Sequence, residues 1–271
     1  MTRRQPISGL AIGTCLILLF LFAPLAVATL YAFNSSSSLS WPFAGFSTRW
    51  FEKIFTDQRF ISSLETSFQA AILTAILATA IGTFAAFAFS RVYSRLGSAG
   101  QALGRLPVML PPVFIGIGFI AFMRVTSWSP GLPTIVLGHT VVAIPWVILV
   151  MLSRLRSFDV ELEFAARDLG AGAWQTIRRI TIPTIAPAML GAALLAFSWS
   201  FDETLITTFT AGTETTVPLY ILGKMRRLID PSGNAVATIL LLIPWIAFGL
   251  AALAFRRSGT GLGAVLGQQG R

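Results

Sequence analysis

Two neighbouring carboxylates, Asp202 and Glu203, stand near the end of a long apolar run, Ile185 to Ile206, within Ser198-Trp-Ser-Phe-Asp-Glu-Thr204. A carboxylate in a membrane span costs roughly 2.5 to 3.5 kcal/mol at the bilayer centre and less toward its edge, so such groups face a cavity or a partner. At about 1.5 Å of rise per residue the pair falls near one end of its run. Adjacent helical residues point about 100° apart, so one of the two faces a pathway, and Asp202 is favoured. The chemistry on offer is Coulomb attraction, an acidic collar for an ammonium group in a partly desolvated site. An ion pair with Arg124, Lys224, Arg226 or Arg227, or plain solvation at the membrane edge, is the competing explanation. Trp199, Phe197, Phe201 and Phe209 offer ring faces to alkylammonium groups, or serve as belt aromatics at a span terminus.

Catalysis has little to work with. His139 is the only histidine and Cys15 the only cysteine, so no disulfide framework and no metal-ligand spacing exists, and His139 is expected as a packed or interfacial side chain. An intramembrane protease would need paired catalytic groups at matching depth, which one His, one Cys and an adjacent Asp-Glu pair do not supply. Lys53 and Lys224 are the only lysines, and neither follows a Gly-x-x-x-x-Gly phosphate loop. The chain is therefore not an enzyme, and any nucleotide hydrolysis belongs to a partner.

A second segment, Ser157 to Pro183, has the pattern of two short helices around a break. Leu162, Ala165, Ala166 and Leu169 recur at helical spacing, Gly170 and Gly172 interrupt, and Trp174, Ile177 and Ile180 resume the stripe before Pro183. A helix-Gly-helix hairpin at a membrane surface results. It must bury its apolar face, while Glu161, Glu163, Arg167, Asp168, Arg178 and Arg179 remain available to a soluble partner. A purely structural amphipathic linker fits the same pattern.

The elements that position these residues are membrane helices. The 271 residues are 55% hydrophobic and 11% charged, with a mean hydropathy of +0.76. That is more apolar surface than a soluble domain of this size buries. A hydrocarbon core about 30 Å thick needs roughly 20 apolar residues per helix, and six runs qualify, approximately 10–33, 64–89, 106–125, 134–152, 185–206 and 235–255. Period-two alternation is absent, which leaves helices, and the expectation is a single all-α membrane domain over 1–271. Pro24, Pro111-Pro112, Pro145 and Pro244 predict kinks.

Arg3, Arg4, Arg91, Arg95, Arg105, Arg154, Arg156, Arg178, Arg179, Arg256 and Arg257 fall at the N-terminus, in two alternate loops and at the C-terminus. The inside preference of positive charge places both termini and the hairpin in the cytoplasm. Met1 to Leu30 reads as an uncleaved first span, its apolar run being too long for a signal peptide. The net charge of +9 follows topology, with no nucleic-acid-binding context around it. Trp50-Phe-Glu-Lys-Ile-Phe55 reads as an outer amphipathic stretch, either a belt anchor or part of a docking surface. Lys224, Arg226 and Arg227 lie outside against the charge bias and suit an acidic face of a soluble partner.

The hairpin resembles the "EAA" loop of binding-protein-dependent ABC importer permeases, Glu-Ala-Ala, three residues, Gly, nine residues, Ile-x-Leu-Pro. Ala165, Ala166, Gly170, Ile180 and Pro183 fall in register, Phe164 takes the Glu position, Ile182 the Leu position, and Glu163 is a neighbouring substitute for the missing carboxylate. The resemblance runs from the second span to the sixth. It implies an all-α, six-helix, type I importer permease fold in which the hairpin forms coupling helices seated on an ATPase subunit. Glu163, Ala165, Ala166, Leu169, Gly170, Ile180 and Pro183 would carry that contact. Ser200-Phe-Asp-Glu203, Phe209-Thr-Ala-Gly212 and Thr215-Thr-Val-Pro218 are similar to the second permease of spermidine/putrescine-type importers, where Ser-Phe-Asp-Asp, Phe-x-x-Gly and Thr-Thr-Leu-Pro are typical. This second resemblance implies a polyamine pathway at Asp202, Glu203, Trp199 and Phe201, no cofactor in this chain, and ATP with Mg in the partner ATPase. The implied partners are a homologous second permease, two ATPase copies, an extracytoplasmic binding protein and membrane lipid, at a bacterial inner membrane. The same machine carrying an aminophosphonate, ferric iron or an amino-acid derivative is the runner-up.

Overall fold

The structure, a computed structural model, describes residues 9–37, 42–91, 109–225 and 231–257. Arg3, Arg4, Arg95, Arg105, Arg226 and Arg227, and the first residues of the expected third span, lie outside the described residues. The described chain is helical: α1 Gly9–Ala32, α2 Arg49–Phe55, α3 Gln58–Arg91, α4 Pro112–Thr126, α5 Leu132–Arg156, α6 Glu161–Asp168, α7 Ala173–Asp202, α8 Leu205–Thr210, α9 Val217–Met225 and α10 Ser232–Arg257. Five of them, α1, α3, α5, α7 and α10, are long and apolar enough to cross a membrane, and α4 is a shorter apolar helix. Pro111 and Pro112 fall at a boundary rather than inside a described helix. They open α4, Pro111 as the residue before it and Pro112 as its first, because a proline at a helix start has no amide to leave unpaired. Pro24, Pro145 and Pro244 sit inside continuous helices.

The chain divides into two compact units, Met1–Ile61 with Tyr220–Leu242, and Ser62–Leu219 with Ile243–Arg271. In the first, α1 turns most of its apolar side chains outward, Leu16, Leu19 and Phe20 among them, while Ala32 at its end is buried. A short bridge pairs Asn34 with Phe46. Trp50 of α2 is buried, and its indole Nε1 donates to the Asn34 carbonyl at 2.7 Å, while Arg49 and Lys53 lie over its ring. Trp50 is therefore a packing residue rather than a belt anchor, because its one polar atom finds a protein partner.

The second unit is organised around α5, the most buried span. Ala75, Ala78, Gly82 and Ala86 recur every three or four residues along α3 and face Ala143, Val147 and Met151 of α5, with Ala192 and Ala196 of α7 in the same core. A Cβ on Gly82 would come within 2.7 Å of Val147 Cγ1. In lipid the hydrophobic effect does not drive helices together, so close backbone approach through small residues supplies the attraction.

One expected boundary moves. The run 185–206 does not continue as a single span: α7 ends at Asp202, Glu203 turns extended at φ −69 and ψ 121, and α8 begins at Leu205. Glu203 Oε1 accepts from the Ile206 amide at 2.9 Å, capping the new helix with its own carboxylate. The short α8 is then held against α5. His139, fully buried, bonds Ser200 Oγ through Nδ1 and Thr207 Oγ1 through Nε2, each at 2.8 Å. Thr134 Oγ1 donates to the Thr210 carbonyl at 2.8 Å, and the Gly131 amide donates to it at 3.0 Å. Gly138 admits Ile206, and Gly116 of α4 admits Phe209, each with no room for a Cβ.

His139→Leu leaves the Ser200 and Thr207 hydroxyls buried without their ring partner, a loss of about 1 to 3 kcal/mol. The apparent Tm of the purified complex should fall, whereas Val141→Leu on an exposed face of the same helix should leave it near wild type. Equal Tm values for the two variants would show that the clamp does not hold α8.

Candidate functional site

The hairpin forms as its pattern dictates, and local chemistry explains each turn. Asp159 Oδ1 accepts from the Glu161 amide at 3.0 Å and starts α6. At its other end the Ala171 amide donates to the Ala166 carbonyl at 3.0 Å and the Gly170 amide to the Arg167 carbonyl at 2.9 Å. This paired arrangement needs a left-handed residue, and Gly170 supplies it at φ +88. Gly172 precedes α7, and its amide donates to Gln175 Oε1 at 3.2 Å. The first turns of α7 pass through a π-turn, Ile177–Thr181, before the α-helical part Ile182–Asp202.

The two faces of the hairpin differ from the expected stripe. Leu162, Phe164, Ala165, Leu169, Gly170 and Trp174 are exposed, Leu169 at 90% and Trp174 at 67%. Ala166 is buried, Ile180 half-buried and Pro183 exposed. Glu163 is the main correction. It is buried, with Arg91 Nη2 donating to its Oε1 at 2.6 Å and Thr181 Oγ1 at 2.7 Å, so its charge is not available to a soluble partner. The reason is helical phase: Glu163 shares the inward face of Ala166, three residues on, while Leu162, Ala165 and Leu169 share the outward one. Glu161, Arg167, Asp168, Arg178 and Arg179 do stay exposed. Arg91 reads in the sequence only as a topology signal and Thr181 carries none, because their contacts with Glu163 close across 72 and 18 residues.

At the other end of α7, Asp202 is exposed and Glu203 is half-buried with its carboxylate occupied as the cap of α8. Among the described residues neither is ion-paired with Arg124. The aromatic residues do not converge on them. Phe201 is buried, stacked on Phe197 at 5.7 Å and set edge-on against Phe68 at 5.1 Å. Trp199 is edge-on to His139 at 5.8 Å, and Phe209 packs on Gly116. Phe201 is thus packed among Phe197 and Phe68, one residue and about 100° round the helix from Asp202.

Lys224 is partly engaged within its own unit. Its ammonium donates to the Tyr220 hydroxyl at 3.2 Å, and that hydroxyl donates to Asp57 Oδ2 at 2.7 Å. Burial pushes the Asp57 carboxyl up, but the Tyr220 hydroxyl, the Arg59 and Phe60 amides and the Lys224 ammonium together hold it below the ordinary carboxylate value. Among the described residues no group of three or more His, Cys, Asp or Glu side chains is placed to hold a metal.

Known proteins resemble this chain in sequence and in fold. The chain is 35% identical over 230 residues to the putrescine transport system permease protein PotI of Escherichia coli K12, covering 82% of each. It is 30% identical over 241 residues to the spermidine/putrescine transport system permease protein PotC of Haemophilus influenzae, covering 88% of this chain and 93% of that one. Its fold matches a chain of a bacterial alginate ABC transporter solved with an alginate pentasaccharide-bound periplasmic protein, with a TM-score of 0.71 at 18% identity over 92% of both chains. Residues 78–259, which contain the hairpin and the Asp202 turn, match the family of binding-protein-dependent transport system inner membrane components, and the chain belongs to that family of ABC importer permeases.

Proposed function

We propose that this chain forms one half of the translocation pathway of an ATP-driven polyamine importer, carrying putrescine or spermidine. It works beside a homologous second permease, on two copies of an ABC ATPase that hold ATP and Mg, and beneath an extracytoplasmic solute-binding protein. The observation that carries this reading is α7 itself. One end follows an exposed apolar hairpin, with Leu169 and Trp174 uncovered, and the other presents the exposed carboxylate of Asp202.

A surface helix with that much apolar area uncovered needs a partner, and Phe164, Ala165, Leu169 and Gly170 supply a face of the right kind for a groove in an ATPase. At Asp202 a dication gains Coulomb attraction at the membrane edge, where desolvation is partial. Polyamine relatives support the substrate class. The exposed apolar length of α1 suits lipid and a neighbouring permease. The arginine distribution supports an inner-membrane topology with hairpin and termini in the cytoplasm, the whole 1–271 acting as one permease domain. Lys224 with Arg226 and Arg227 would then meet the binding protein.

Three outcomes are expected for the complex reconstituted with its partners. Asp202→Asn should lower putrescine uptake about tenfold, the scale of 1.4 kcal/mol of lost attraction, with assembly retained, whereas Glu203→Ala, which removes the acceptor of the Ile206 amide, should chiefly disturb the turn into α8. Undiminished uptake by assembled Asp202→Asn would remove the collar.

Gly170→Val should cost about 1 to 2 kcal/mol through its left-handed backbone, since the space around it is open. The measured effect should be weaker copurification of the ATPase, with Gly172→Ala much milder.

Charge reversal at Lys224, Arg226 and Arg227 together should weaken binding-protein affinity, and more so at low salt. Affinity unchanged at both salt concentrations would assign these residues to topology.

A further inference from the structure

The Glu163 carboxylate sits where three chain segments meet. Arg91 is the last residue of α3, Glu163 belongs to α6, and Thr181 closes the π-turn of α7. A single oxygen, Glu163 Oε1, accepts from both neighbours, at 2.6 Å and 2.7 Å. The Glu163 side chain is 7% exposed and that of Arg91 32%. Arg91 is itself oriented from within α3, its guanidinium lying over the Phe87 ring at 5.1 Å, one turn back.

Such a pair is a poor device for stability. Burying a carboxylate takes back most of what its attraction to a partner returns, and well-packed apolar side chains hold an interface at least as well. What a charged, doubly hydrogen-bonded carboxylate does supply is geometry, a fixed distance and direction among three backbones. Thr181 makes the position telling. A π-turn departs from the regular α-helical ladder and recurs at functional sites, and here its last residue is tied to the hairpin through a side chain. Arg154 Nη2, donating to the Thr184 carbonyl at 3.0 Å, ties the end of α5 to the same stretch of α7.

We propose that Arg91, Glu163 and Thr181 form a joint that moves as one body with the hairpin, carrying its displacement into α3 and α7 together. They are positioning residues, and Glu163 acts from inside the permease rather than by touching the ATPase. The proposal rests on the hairpin being the ATPase-docking element.

The test uses the full complex of both permeases, ATPase and putrescine-loaded binding protein in proteoliposomes, with ATPase copurification as the measure of assembly. Thr181→Val and Arg91→Gln should each lower putrescine uptake per ATP hydrolysed about tenfold, a typical coupling magnitude, in complexes that still assemble. Combining them should do no more than the stronger single change, as expected for groups acting as a unit. Thr181→Ser and Arg91→Lys should restore most of the ratio. Assembled variants with the wild-type ratio, or variants that lose only copurification while the remainder couples normally, would overturn the joint. Should Arg91→Gln fail to assemble, Thr181→Val alone decides on the same two outcomes. A wild-type complex whose ATP turnover is not accelerated by the loaded binding protein would overturn the docking reading and the joint with it.

Discussion

The contact of α3 with α5, where Gly82 meets Val147 with no room for a Cβ, sets the backbone separation on which both ends of the second unit depend. Ala75, Ala78 and Ala86 extend that close approach along α3, and Ala192 and Ala196 bring α7 into the same core. Small side chains let three backbones lie near enough for dispersion to hold them where lipid offers no hydrophobic penalty for separation. A helix held at that distance has its end residues placed as well. Arg91 reaches Glu163 because α3 runs unbroken for 34 residues from Gln58, and His139 reaches Ser200 because α5 and α7 lie side by side.

From that seam the polar groups fall into two sets with different duties. At one end, His139, Thr134 and Glu203 spend their hydrogen-bonding capacity on fixing α8, which leaves Asp202 as the uncommitted carboxylate of the pair. At the other, Glu163 is committed inward and the hairpin keeps an apolar outer face. In both places the acidic residue that reads as exposed to a partner is bound within the fold, and a neighbour is the one left exposed.

How much of this was legible in the sequence depends on the range of each interaction. Apolar runs, the glycine that ends α6 and the spacing of Ala165, Ala166, Gly170 and Pro183 are local signals, and they locate α1, α3, α5, α6 and α10, whereas the run 185–206 divides between α7 and α8 and the described part of the third run is the shorter α4. Helical phase was the first limit. Leu162, Ala165, Ala166 and Leu169 look like one stripe, yet at 100° per residue Ala166 falls with Glu163 on the buried side. Side-chain competition was the second, since nothing in an apolar run announces that the Glu203 carboxylate will cap a new helix and stop the span at Asp202. Contacts closing over long sequence separations were the third, and Arg91 with Glu163 and Thr134 with Thr210 belong there. A lone arginine after a span reads as topology until a second helix brings a carboxylate beside it.

The α-helical part of α7, 21 residues from Ile182 to Asp202, is about 30 Å long, close to the thickness of a hydrocarbon core. One helix therefore joins the hairpin to the exposed carboxylate. Its stiffness is not uniform. The π-turn at Ile177–Thr181 lies at the hairpin end, and Pro183 and Pro187 each remove a ladder hydrogen bond just beyond it. The compliance of the helix is concentrated in its first turns, where Thr181 and Thr184 are held by Glu163 and Arg154. Beyond Pro187 the helix is regular and packed on α5. A displacement at the hairpin would be lost in the loose turns unless side chains bridged them. The bridges that the fold provides come from α6 and α5, so the hairpin engages the stiff part of α7 through its neighbours as well as along its own backbone.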